Sequence, residues 1–92
     1  MCLAIPAQIV LFRDPERFLA EVDVAGVRRV VNVALVSGGE EAAGVGDWVL
    51  IHVGFALAKI DEWEAAATRR VLEQMGAEYR QELEEFERSS VQ

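Results

Sequence analysis

The sequence predicts a mainly β protein, a small antiparallel β-barrel or curled sheet followed by a C-terminal α-helix. Three observations predict it. Up to residue 60, short runs of β-branched and aliphatic residues alternate with polar ones, separated by turn signals. The spacing of these runs is not that of βαβ units. From Asp61 onward the composition turns to Ala, Glu, Arg and Gln, the residues that favour helices. Residues 1–60 are therefore expected to form the barrel with an N-terminal leader, and residues 61–92 a helical segment packed on it. With no repeat or low-complexity linker between them, both parts belong to one domain.

In the first strand Ile5, Ala7, Ile9 and Leu11 share one face, with Gln8 on the other. Pro15 after Asp14 in "RDPER" is preset for a turn. "FLAEVDVAG" places Phe18, Ala20, Val22 and Val24 inward and Glu21 and Asp23 outward. Gly26 marks a tight reversal into "VRRVVNVAL", where Val27, Arg29, Val31 and Val33 oppose Arg28, Val30 and Asn32. "SGGEEAAGVG" reads as a flexible connection, and "DWVLIHV" and "FALAKI" as two strands or one strand bent at Gly54. Closing such a sheet would hide strand edges that otherwise invite aggregation.

Asp61 is a helix N-cap, and Glu64 three residues later completes a capping box. Trp63, Ala67, Val71, Met75 and Tyr79 recur at four-residue steps, widened by Leu72, Leu83 and Phe86, which predicts an apolar stripe laid on the barrel. Gly76 predicts a break or kink. The charged stretch 78–88 reads as a second helix or a frayed tail.

Nine basic residues against sixteen acidic ones give a net charge of −7. That balance argues against nucleic acid, whose binding draws on cationic contacts to phosphates, and against an anionic membrane surface. No apolar run approaches the roughly 20 residues needed to cross a bilayer. The first residues lack the basic flank and cleavage site of a secretory signal, so the cytoplasm is the expected location. Small molecules, metals and other proteins remain as partners.

Two residues carry chemical interest, Cys2 and His52, the single cysteine and the single histidine. A lone cysteine in such a domain is ordinarily an inert small hydrophobe. Yet a small penultimate residue is the condition for removal of Met1, which would place an α-amino group beside the thiol. An ordinary thiol is only about 3% thiolate at pH 7, and a neighbouring cation raises that fraction. Pro6 holds Ile5 extended and so projects the leader. His52 shares a strand face with Trp48 and Leu50. It reads either as a core or barrel-mouth imidazole satisfied by a carbonyl, or as a ligand for iron, zinc or copper. One thiolate and one imidazole are too few for a closed structural zinc site, and suit a metal that arrives with ligands of its own. A Cys–His nucleophile lacks a visible orienting group or oxyanion loop, so no enzyme is expected.

"MCLAIPAQIV" and "GDWVLIHVGFALAKID" resemble the two signature segments of the HypC/HupF family, small chaperones of [NiFe]-hydrogenase maturation. The resemblance covers the expected barrel and the first part of the helix. It implies an OB-like barrel with a C-terminal helix, and a role in binding and transferring iron that carries cyanide and carbon monoxide ligands. It also implies a scaffold formed with the iron–sulfur protein HypD, and delivery of iron to the precursor of the hydrogenase large subunit. Cys2 matches the family's functional cysteine and His52 the histidine of the second segment. The resemblance thus implies Cys2 as iron ligand and His52 as second ligand or positioning group. Cys2, Leu3, Ala4, Ile5 and Pro6, with Gly54 and Phe55, would form the docking surface. The alternative is a small β-barrel interaction module whose thiol is incidental.

Overall fold

The alternating segments form five strands in the computed structural model, which describes residues 4–88. They are β1 (Ile5–Asp14), β2 (Leu19–Val24), β3 (Val27–Asn32), β4 (Trp48–His52) and β5 (Phe55–Ile60). They close into a barrel in the order β1-β2-β3-β5-β4, with β4 paired back onto β1. Four seams are antiparallel, but β3 and β5 meet in parallel through the single pair Asn32 and Phe55. The barrel is antiparallel as expected except at that seam, for a reason of parity. Strand direction cannot alternate all the way around a ring of five.

Two turns of the same kind shape the sheet. Ala25 and Gly26 (φ 50° and 87°) join β2 to β3, and Val53 and Gly54 (φ 51° and 82°) join β4 to β5. Paired left-handed residues match the twist of a tight two-residue hairpin. "DWVLIHV" and "FALAKI" are therefore two strands. In the first turn Asp23 Oδ1 accepts the Gly26 N–H at 3.1 Å.

The inward faces follow the alternation with two corrections. Ile5, Ala7 and Ile9 are at most 2% exposed, whereas Leu11 is 37% exposed. The β1–β2 register shifts between Ile9 and Leu11, and one extra residue in a strand sends the next side chain to the opposite face. Phe18, expected inward, is 46% exposed. It closes the 3-10 turn Pro15–Arg17 in a left-handed conformation (φ 57°) and precedes β2.

The helical segment is two helices, α1 (Glu62–Met75) and α2 (Ala77–Arg88), divided at Gly76 (φ 68°). The capping box is present: Asp61 Oδ1 accepts the Glu64 N–H at 2.7 Å, and Glu64 Oε1 accepts the Asp61 N–H at 3.3 Å. Asp61→Ala is expected to cost about 1 kcal/mol in chemical denaturation, and Asp61→Ser to recover most of it.

The expected stripe packs on the barrel at Leu72, Met75, Tyr79, Leu83 and Phe86, but not at Trp63, Ala67 and Val71. Ala65 and Leu72 are buried and Thr68 and Met75 half-buried, while Trp63 is 80% and Val71 58% exposed. A four-residue step overshoots a full turn by about 40°. The row therefore starts off the contact at Trp63 and reaches it only at Met75, which packs against the core. Leu72, Tyr79 and Phe86 join the barrel core, so the charged tail is a docked helix. Among the described residues no helix is long and apolar enough to cross a membrane.

Candidate functional site

The start of β1 lies antiparallel to the end of β4, with Ile5 opposite Ile51. Ala4 and His52 are the next residues beyond that pair. On its other side His52 is paired with Phe55, Phe55 with Asn32, and Asn32 with Leu19. Directly paired residues point to one face of a sheet. Ile51 is 2% exposed and faces the core, so its neighbour His52 faces out. Leu19, Asn32, Phe55 and His52 thus form a row on the outside of the barrel, leading to the point where the chain enters β1.

His52 is half-buried, and its Nδ1 is fully buried with no hydrogen-bond partner among the described residues. A buried polar atom left unpaired costs about 1–3 kcal/mol. The reading of an imidazole satisfied by a carbonyl therefore finds no support at Nδ1. Asn32 holds the next part of the row. Its N–H donates to Gly54 O at 2.9 Å, and its Oδ1 accepts the Ala34 N–H at 2.8 Å. One residue thus ties the β4–β5 turn to the turn that follows β3.

Val53 stands at the tip of the β4–β5 turn with φ 51° and is 67% exposed. A β-branched residue in this region is a steric outlier costing about 1–2 kcal/mol. Asn tolerates the same conformation, so Val53→Asn is expected to stabilise the fold by about 1 kcal/mol, read from the denaturant midpoint. Beside the tip Phe55 is 47%, Leu57 45% and Leu35 69% exposed. The 3-10 turn Ala34–Val36 packs against β5 and brings Leu35 near that strand. A cavity of about 70 Å³ separates the β4–β5 turn from α2 and is lined by Ile5, Ile51, Val53, Gly54, Glu82, Glu85 and Phe86.

The expected docking residues divide. Cys2 and Leu3 lie outside the described residues. Ile5 is a core residue at 2% exposure, Pro6 is buried, and Gly54 is buried in its turn. The β1–β4 pairing encloses the first two and the hairpin the third, so these three underlie the surface. Ala4 is half-buried and Phe55 exposed, so both remain at the surface. The residue-level reading missed Val53 and Asn32. A valine before the glycine of a two-residue hairpin was the available signal for Val53, whereas the role of Asn32 depends on the β3–β5 seam. Among the described residues no three His, Cys, Asp or Glu side chains converge as a metal site, so a metal at His52 needs donors from elsewhere.

Fold and site together define a small closed barrel with a two-helix support, presenting an imidazole and exposed apolar side chains near the start of β1. The chain belongs to the HupF/HypC family, whose model matches residues 1–72. It is 53% identical over 76 residues to hydrogenase maturation factor HypC of Rhodobacter capsulatus, covering 83% of this chain and 79% of that protein. To hydrogenase maturation factor HybG of Escherichia coli (strain K12) it is 47% identical over 75 residues, covering 82% and 92%. To HypC of Helicobacter hepaticus it is 41% identical over 75 residues, covering 82% and 81%. The family match ends inside α1, so the latter part of α1 and all of α2 lie beyond it.

Proposed function

We propose that this chain is a hydrogenase maturation chaperone that carries iron bearing cyanide and carbon monoxide. It holds the iron in a scaffold with HypD and delivers it to the hydrogenase large-subunit precursor. Family membership supports the maturation role. The observation that carries the finer reading is the outer row, which ends where β1 begins. Cys2 stands three residues before Ile5 in the sequence, so the chain ties its thiol to that end of the row. A soft thiolate suits low-spin iron that already bears strong-field ligands. Cys2 is the protein's iron ligand in this reading. An incomplete protein donor set suits a carrier, which has to release its cargo, and the chain acts as a carrier and not as an enzyme.

The exposed Val53, Phe55, Leu35 and Leu57 form the partner surface, since grouped apolar side chains left in solvent mark interaction sites. The strain at Val53 adds to this, since strained backbone concentrates at functional positions. Purification of the chain together with HypD tests the proposal. The complex is expected to show the vibrational bands of metal-bound cyanide and carbon monoxide. A stable complex without those bands would leave a protein-interaction module whose thiol is incidental.

A further inference from the structure

We propose that His52 serves its site as a hydrogen-bond donor through Nε2, and not as a metal ligand. A neutral imidazole carries one proton, and the nitrogen without it supplies the lone pair. Ligation through Nε2 requires the proton on Nδ1, and ligating imidazoles almost always hand that N–H to a carbonyl or carboxylate. Nδ1 of His52 is fully buried and meets no acceptor among the described residues. A proton there would strand a buried donor, and native structures tolerate orphaned N–H groups less readily than under-satisfied acceptors. Ligation through Nδ1 itself is closed because that atom has no exposed surface.

The remaining arrangement puts the proton on Nε2. The residue is half-buried while Nδ1 is wholly covered, which leaves Nε2 as the ring nitrogen that can meet a ligand. His52 belongs to the outer row next to Phe55. A ligand with a lone-pair acceptor, seated against Phe55, receives this hydrogen bond. The proton's position stands on the imidazole alone, whereas the identification of that ligand as the iron cargo rests on the function proposed above.

Because His52 is the single histidine, nitrogen NMR of the full chain labelled in histidine reads one ring without assignment. The expected neutral ring has its proton on Nε2 and an unprotonated Nδ1. A proton on Nδ1 overturns the proposal, and so does loss of the Nε2 proton when Zn²⁺ is added as a probe. In the complex with HypD, His52→Gln can place an amide N–H near the position of Nε2. His52→Gln is expected to retain iron within about twofold of the native chain, and His52→Ala to lose about tenfold or more. A glutamine variant no better than alanine overturns the donor role, as does an alanine variant that retains iron fully. If the native complex itself holds no iron, the carrier reading falls while the NMR result still decides the proton's position.

Discussion

Cys2→Ala is expected to fold with the stability of the native chain and to support no hydrogenase maturation. The core of the described residues is assembled from Ile5 onward, so the change should stay within about 0.5 kcal/mol in chemical denaturation. Its effect on function should be complete, because the sequence contains no second thiol to replace the soft donor. Cys2→Ser should fail in the same way, since a hydroxyl is a poor match for such iron. The measurement is hydrogenase activity in cells whose own copy has been replaced by the variant. Full activity from Cys2→Ala would end the carrier proposal and leave the barrel as an interaction module.

The second large effect is structural. Phe86→Ala is expected to destabilise the protein by about 3 kcal/mol, read from the denaturant midpoint. Phe86 is 5% exposed and belongs to the same core as Ile5 and Ile51, although it lies far along a tail rich in charge. Against a typical total of 5–15 kcal/mol such a loss is a large share. Val71→Ala, on the exposed face of α1, should change stability by less than about 0.5 kcal/mol. If the two variants were equally stable, α2 would not belong to the core. Loosening α2 should also be felt at the site, since Glu82, Glu85 and Phe86 line the cavity beneath the β4–β5 turn.

Features confined to a few neighbouring residues were legible without coordinates. The alternation in Leu19–Val24, the hairpin glycine Gly26 and the capping box from Asp61 to Glu64 all appear where local chemistry puts them. The two family segments were legible for the same reason, being continuous stretches of chain. Errors arose where one element's orientation depended on another. Leu11 turned outward because a bulge forms only against β2, and Trp63 because the barrel selects which side of α1 it covers. The burial of Ile5 and Pro6 was illegible for the same reason, since they read as part of a leader until β4 pairs with them.

Order along the chain therefore settled the strand-then-helix plan, the acidic surface and the presence of one thiol and one imidazole. These depend on composition and on contacts a few residues long. Only the folded barrel decided that the ring closes through one parallel pair, that His52 faces outward beside Phe55, and that Nδ1 lies buried without a partner among the described residues. Those outcomes depend on segments distant in sequence coming together, and their register is set by packing across the whole core.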